Sequence, residues 1–338
     1  MSSEEPEIKK QKTMSQILRI CTHSGSFHAD EALAVFMLRL LPKWKDATLK
    51  RSRNPEDWEN SDIVVDVGAT YDGVKFFDHH QRGFTETFND TFKTKLSSAG
   101  LVYKHFGKEI IGEIIDERND QSVLELLYIK VYKEIIEAID ANDNGINKYA
   151  NDIDESPRFK DRSITLPSIV ANLNPFWNED NSDESYDRQF LIASEVIGNA
   201  FVNVVKNLGL SWLPAKKVVE EAFNKRFETH SSGSILILDQ FAPWKDHLYE
   251  IEKSHDSFGK TLYVLFADAS NNWRISTVPI SGGSFENRKP LPENWRGLRD
   301  DALSKESGVE GCVFVHAAGF IGGAKTKEAV LKLAELSL

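Results

Sequence analysis

Three short stretches of this 338-residue chain concentrate side chains that bind hard or borderline metal ions. They are His23-Ser-Gly-Ser-Phe-His28-Ala-Asp30, the single Asp66, and Asp78-His79-His80. Each stands where an apolar, strand-like run gives way to a turn. In open α/β sheets, ligand sites form at the carboxyl ends of strands. Aspartates gathered there repel one another unless a cation neutralises them. The chemistry this points to is metal-dependent hydrolysis. Asp140 and Asp143 add to it. They end a helical run, where a carboxylate opposes the macrodipole and an outside cation would account for it.

Taken singly, each stretch also has a plain structural reading. His23 and His28 could belong to a polar turn, with Asp30 capping the next helix. Asp66 could be an ordinary strand-end aspartate, and Asp78-His79-His80 a satisfied surface group. Asp140 and Asp143 could simply end a helix. Two adjacent histidines after a strand point different ways, however, so one can bind metal while the next faces substrate.

The elements that must hold these residues are legible. Ile17–Cys21 alternates as a strand does. Residues 30–41 form a strong helix with acidic residues in its first turn and Pro42 as its stop. Ala47–Arg51, Ser61–Asp66 and Val74–Phe77 are further short strands. Ser97–Phe106 reads as a capped helix and Ser122–Asp140 as a long one, with Val123, Leu126, Leu127, Val131, Ile135 and Ile139 at helical spacing. Strands alternating with helices indicate a mostly parallel sheet. Residues 151–185 are polar and proline-containing, and loops are expected there. Gln189–Leu208 and Ala215–Phe227 are helices. From Ser234 the texture turns to strands at Ile235–Leu238, Thr261–Phe266, Trp273–Val278 and Cys312–Val315, and a last helix starts near Thr326.

Bulk properties narrow the function. The length favours two domains. No apolar run approaches the roughly 20 residues of a membrane span, so no membrane partner is expected. Cys21 and Cys312 sit in strand-like runs and read as reduced, buried thiols of a cytosolic or nuclear protein, not a secreted one. A net charge of −11 argues against sequence-blind coating of nucleic acid but leaves room for one local basic groove. Residues 1–14 read as a disordered tail with a weak basic cluster at Lys9-Lys10-Gln11-Lys12 and a possible second start at Met14.

Together the metal-type residues resemble the DHH phosphoesterase superfamily, which includes RecJ-type exonucleases, inorganic pyrophosphatases and oligoribonucleases. A closer resemblance spans nearly the whole chain. Residues 22–33 (Thr-His-Ser-Gly-Ser-Phe-His-Ala-Asp-Glu-Ala-Leu), 62–68, Asp78-His-His-Gln-Arg82, 94–100, Trp295-Arg-Gly-Leu-Arg-Asp300 and 315–323 are similar to the melanocyte-proliferating-gene family of DHH-type exonucleases. That resemblance implies 3′–5′ RNA exonuclease activity on single-stranded RNA, a role in RNA processing, and a place in nucleus and mitochondrion, with cytoplasm also open. It implies two divalent ions. His23, His28 and Asp66 would hold one. Asp30, Asp66, His79 and either Asp140 or Asp143 would hold the other. Asp66 would bridge, Asp78 would orient His79, and His80 would face the scissile phosphate. The superfamily's first motif has Asp where His28 stands here, a change that favours Mn²⁺ while leaving Mg²⁺ open.

The carboxyl-terminal run His316-Ala-Ala-Gly319-Phe-Ile-Gly322-Gly323-Ala-Lys325 has its own physics. Glycines let backbone N–H groups approach an anion, and Lys325 could pair with phosphate. A tight turn before the last helix would use the same glycines. Arg51, Arg53, Arg82, Lys93 and Lys95 could form a basic rim, and Arg296 and Arg299 could contact phosphate. Trp273 could stack a base, and Trp244-Lys-Asp-His247 could bind a ligand, but core packing suits both better.

The expectation is therefore an α/β protein: a mostly parallel-sheet DHH-type catalytic domain over residues 15–185 with helices on both faces, a helical connector over 186–230, and a smaller α/β substrate domain over 231–338. The expected activity is two-metal phosphodiester hydrolysis, with substrate held by Arg82, Arg296, Arg299, His316, Gly319, Gly322, Gly323 and Lys325. A phosphatase or pyrophosphatase acting on a small nucleotide-like molecule is the alternative, and a binding protein without turnover a third reading. A homo-oligomer is compatible with the sequence.

Overall fold

Short runs of β-branched and aromatic residues, apolar on both sides, are what a buried parallel strand requires. They form the first sheet of the computed structural model, which describes residues 17–149, 160 and 162–338. The chain divides into two compact units, Met1–Leu208 and Gly209–Leu338. The tail expected over residues 1–14, with its lysines and Met14, lies outside the described residues, as do 151–159 and 161 of the loop-rich stretch.

In the first unit, β1 (Arg19–Thr22) leads into α1 (Ala29–Leu40), then β2 (Thr48–Arg51), α2 (Pro55–Glu59), β3 (Ile63–Val65) and β4 (Phe76–Phe77). The strands form one parallel sheet in the order β2-β1-β3-β4. Cys21 pairs with Val64, and Val65 with Phe77, so the three strands end at one level. The residues beyond their ends, His23, Asp66 and Asp78, therefore emerge along one sheet edge.

Helices α3 (Ser98–Ile115), α4 (Gln121–Val131), α5 (Glu137–Asp143), α6 (Leu166–Ala171) and α7 (Asp183–Lys206) complete the unit. Helix α1 lies among α3, α5 and α7, and Ala32, Leu33, Ala34, Val35, Met37 and Leu38 are fully buried. The larger of these, Leu33, Val35, Met37 and Leu38, contribute about 1.5–3 kcal/mol each on burial. Gly198 of α7 sits directly against the Phe36 ring, leaving no room for a Cβ. The opposite sheet face is covered by Trp58 of α2, which packs on Cys21, Val64 and Val67. Helices thus lie on both faces, as expected.

Several boundaries differ from the sequence reading: α7 begins at Asp183 rather than Gln189, β4 is only Phe76–Phe77, and α6 lies within the stretch expected to be loops. Helix α3 runs on to Ile115, and the long helix is interrupted by a π-turn over Tyr132–Ile136 before continuing to Asp143. Such turns insert an extra residue and re-aim the helix beyond them, and they concentrate at functional sites.

The second unit contains α8 (Leu213–Asn224), α9 (Arg226–Thr229), β5 (Ile235–Ile237), α10 (Lys245–Ser254), β6 (Tyr263–Ala267), β7 (Trp273–Thr277), α11 (Asp300–Ser307), β8 (Cys312–Val315), β9 (Ile321–Ala324) and α12 (Lys327–Leu336). Its sheet runs β5-β6-β7-β9-β8 and is antiparallel except for β5 against β6. Leu236, Val264 and Phe266 pack with Val219, Phe223 and Leu248 on one face. Ile235, Tyr263 and Leu265 pack with Leu303, Val330 and Leu333 on the other. Of the expected connector, α7 packs on α1 and α8 on α10, so the stretch is shared between the units. Among the described residues, no helix is long and apolar enough to cross a membrane.

Candidate metal centre

The strand ends gather the three stretches as their register requires. His23 Nε2 lies 3.3 Å from Asp66 Oδ2, and His79 Nε2 lies 3.5 Å from Asp66 Oδ1. Asp66 thus presents one oxygen to each histidine. Its backbone is in the left-handed region, φ 58°, and Gly68 and Ala69 follow with φ of 99° and 50°. A non-glycine residue held there is strained, and such strain collects at functional sites. Ser98 Oγ donates to Asp66 Oδ1 at 2.9 Å.

His79 Nε2 is also 3.0 Å from Asp143 Oδ2 and 4.0 Å from Asp30 Oδ2. Asp30 is fully buried on α1, and the Ser98 N–H reaches its Oδ2 at 3.3 Å. Burial, together with the carboxylates of Asp66, Asp143 and Glu31, pushes Asp30 well above the usual carboxylate range. Asp66 goes the other way. Burial would raise it, but the close imidazoles of His23 and His79 outweigh burial and hold it low. Burial likewise disfavours the histidine cations. It is overcome by Asp66 and Glu31 at His23, pushed up to about 10, and by Asp143 and Asp66 at His79, pushed up to about 9.

The two candidate aspartates of the last helix separate cleanly. Asp140 is fully buried, yet its carboxylate is taken up by α3. Oδ1 accepts the Ser97 N–H and hydroxyl and the Gly100 N–H at 3.0, 2.7 and 3.0 Å, and Oδ2 accepts the Tyr132 hydroxyl at 2.9 Å. It caps α3 from outside, its oxygens accepting N–H groups that the first turn of a helix leaves unpaired. Ser97, expected to cap α3 with its own side chain, gives its hydroxyl to Asp140 instead. Gly100 is required because a Cβ there would collide with the same carboxylate. Asp143, one turn on, faces His79.

A second expectation is corrected. Asp78 does not orient His79. Its Oδ1 contacts His80 Nδ1 at 2.7 Å, and its Oδ2 accepts the Ala69 N–H at 2.6 Å. Residues two apart in extended backbone share a side, so Asp78 reaches His80 rather than the residue between them. Asp78 raises His80, while His80 and the Ala69 N–H hold Asp78 low against burial. His79 Nδ1 is buried and meets no hydrogen-bond partner among the described residues.

His28 is exposed, but one of its ring nitrogens stands within 4.8 Å of donor atoms of His23, Glu31 and Asp66, and equally of Asp30 and Asp143. Glu31 was legible only as a first-turn acidic residue suited to the helix dipole. Its burial and its 3.1 Å approach to His23 Nε2 come from folding. Ser98 likewise read only as part of a cap. A cavity of about 440 Å³ opens beside the centre, lined by His23, His28, Arg53, Trp58, Asp66, Val67, Gly68, Ala69, Asp78 and His80.

The donor set fits divalent cations. Imidazoles and carboxylates converge, and buried oxygens Asp30 Oδ1 and Glu31 Oε2 accept no hydrogen bond among the described residues. Buried polar atoms are rarely left in that state without an ion or water.

The basic candidates scatter. Arg82 is exposed in the turn after His80. Arg51 is buried and ion-paired with Asp187, so it supports the fold. Arg53 reaches the Ser24 carbonyl and His23 Nδ1, at 3.2 Å each. In the second unit, Arg296 packs against Gly319, and its Nε donates to the Leu291 carbonyl at 3.0 Å. His316 is exposed in the same turn. Arg299 lies over the Phe314 ring. The glycine-rich run is not one loop. Gly322 and Gly323 lie in β9, hydrogen-bonded between β7 and β8, and their backbone groups serve the sheet. Lys325 sits at the far end of β9, beside Gly311. His247 is buried with Nε2 on the Trp212 carbonyl, and Trp273 packs against the core, so neither forms a site.

A parallel α/β sheet carrying histidines and carboxylates along its carboxyl edge defines a protein with a candidate divalent-metal centre. The family model described as "Uncharacterised protein family (UPF0160)", the MYG1 exonuclease model, matches residues 19–338. The chain is 59% identical over 334 residues to a MYG1 protein of Saccharomyces cerevisiae, covering 98% of this chain and 99% of that one. It is 43% identical over 340 residues to the MYG1 exonuclease of Homo sapiens, covering 98% and 89% respectively. The chain therefore belongs to the MYG1 family, the melanocyte-proliferating-gene family that its motifs resemble. Among solved structures, "Crystal structure of exonuclease RecJ bound to manganese" aligns at 14% identity over 94% of this chain and 89% of that one, with a TM-score of 0.23, too low to bear on the fold.

Proposed function

We propose that this chain is a divalent-metal-dependent phosphodiesterase, acting as a 3′–5′ exonuclease on single-stranded RNA. The observation that carries this reading is the meeting of His23, Asp30, Asp66, His79 and Asp143 around buried oxygens that accept no hydrogen bond. The human relative is named an exonuclease. RNA as substrate, the polarity, and action in nucleus and mitochondrion rest on the family resemblance.

His23, His28 and Asp66 would hold one ion, and Asp30, Asp66, His79 and Asp143 the other. Asp66 suits the bridging role because its two oxygens already face different histidines. Bound divalent ions supply an activated water and neutralise charge on the phosphate. The chain does the rest. His80, backed by Asp78 and bordering the cavity, is placed to donate to a phosphate oxygen. Arg53 at the rim adds positive charge. Imidazole donors favour Mn²⁺, with Mg²⁺ also accommodated.

The test is a time course on end-labelled RNA with Mn²⁺, Mg²⁺ or chelator, for the wild-type chain and for Asp66→Ala. Shortening from the 3′ end with metal, and none in folded Asp66→Ala, is expected. An active Asp66→Ala sinks the reading. A second reading, hydrolysis of a small nucleotide-like phosphate, is favoured by the cavity of about 440 Å³ and the net charge of −11. Faster turnover of mononucleotides or pyrophosphate than of RNA would select it.

A further inference from the structure

Glu31 is a buried carboxylate with more hydrogen-bonding capacity than the fold uses. It lies in the first turn of α1 and is 0% exposed. Its Oε1 accepts the backbone N–H of His28 at 2.7 Å and lies 3.1 Å from His23 Nε2. That same His23 nitrogen is 3.3 Å from Asp66 Oδ2. Donor atoms of His23, His28, Glu31 and Asp66 all lie within 4.8 Å of one another. Yet Oε2 is buried and accepts no hydrogen bond among the described residues.

Helix capping explains half of this. A reciprocal cap needs one acceptor oxygen at this position, and a glutamine supplies it as well as a glutamate. Capping gives no reason to bury a full negative charge or a second oxygen.

Charge supplies the reason. Asp78 is engaged by His80 and the Ala69 N–H, and Asp140 by its four donors. Among the described residues, the carboxylates left facing the centre are Asp30, Glu31, Asp66 and Asp143. Their four negative charges match those of two divalent cations. Without Glu31 the neutral imidazoles could not make up the difference, and a net charge would be buried.

We propose that Glu31 is itself a metal ligand, joining His23, His28 and Asp66 around the first cation. The inference rests on the metal-centre reading above.

Chelator-stripped wild-type and Glu31→Gln chains are titrated with MnCl₂ by calorimetry, and their thermal unfolding is followed with and without Mn²⁺. The amide oxygen of the introduced glutamine keeps the acceptor for the His28 N–H. The variant should therefore unfold with the metal-free wild type, bind Mn²⁺ at one site at least about tenfold more weakly, and gain less thermal stability from Mn²⁺. Equal isotherms overturn the role of Glu31 while leaving the metal centre standing. A wild-type chain that takes up no Mn²⁺ overturns both. If the variant does not fold, an anomalous map of Mn²⁺-soaked wild-type crystals decides. A peak within about 2.6 Å of a Glu31 oxygen supports the proposal. A peak at His23 and Asp66 with Glu31 out of reach overturns it.

Discussion

Asp78 Oδ1 stands 2.7 Å from Nδ1 of His80 and also accepts the backbone N–H of His80 at 3.1 Å. The middle residue of the signature, His79, is left to turn inward toward Asp66 and Asp143. One aspartate thus separates two adjacent histidines into different tasks. Asp78→Asn should let the His80 imidazole, now held high, fall toward the ordinary value of about 6.5. NMR titration of His80 in metal-free protein reads this directly. Activity should drop about 10- to 100-fold with Mn²⁺ uptake retained. An unmoved His80 titration sinks the assignment.

Asp140 and Asp143 should fail in opposite ways. Asp140→Ala strands the Ser97, Gly100 and Tyr132 donors and should cost about 2–3 kcal/mol in unfolding experiments. Asp143→Ala removes a like charge from beside Asp30. Its metal-free form should unfold near the wild-type temperature, while the stabilisation conferred by Mn²⁺ disappears. If both variants lose stability and retain Mn²⁺ alike, the division is wrong.

Asp140 also predicts a pH effect. Burial, opposed by its hydrogen bonds, pushes its carboxyl up to about 7 from 3.8, so the folded state holds that proton more tightly than the unfolded state. Its contribution is full below the ordinary carboxylate range and is lost as pH rises through about 7. Asp140→Asn has no such group. Measured with chelator present, the variant's unfolding temperature should gain on the wild type's between about pH 4 and 8. A difference that stays constant across that range refutes the coupling.

Metal uptake should release protons. Without metal, His23 and His79 hold theirs up to about 10 and about 9, because their carboxylate neighbours outweigh burial. Ligation needs neutral imidazole. Mn²⁺ affinity should therefore rise between about pH 6 and 8, by up to about tenfold per pH unit for each proton displaced. Calorimetry in buffers of different ionisation enthalpy counts the protons. Binding independent of pH and buffer would mean that these nitrogens are not ligands.

Gly323 lies in a central strand. A Cβ there would lie 2.7 Å from Arg274 Nη1 and 2.9 Å from the Trp273 carbonyl oxygen. Gly323→Ala should therefore destabilise the protein by about 1–3 kcal/mol in urea unfolding. A variant as stable as the wild type would return this glycine to a role other than packing.

Local pattern settled a good part of the molecule. Apolar runs ending in His23, Asp66 and Asp78 announce parallel strands, because burial on both faces leaves no polar alternation. Family motifs added the expected chemistry at those strand ends. What pattern could not carry was direction in space. Asp140 and Asp143 are both aspartates near one helix end, and only the π-turn at Tyr132–Ile136 and the N-terminus of α3 decide which carboxylate is consumed as a cap. Glu31 is indistinguishable in sequence from any first-turn acid, since its buried contacts with His23 and His28 depend on how the turn after β1 folds against α1. Likewise Ile321–Ala324 lacks the bulk that marks a strand, and only β7 and β8 on either side make it one. The metal-type residues and their order were therefore determined by the sequence alone. Tertiary structure decided which of them face one another, because a carboxylate's task depends on the donors and charges that folding brings to it.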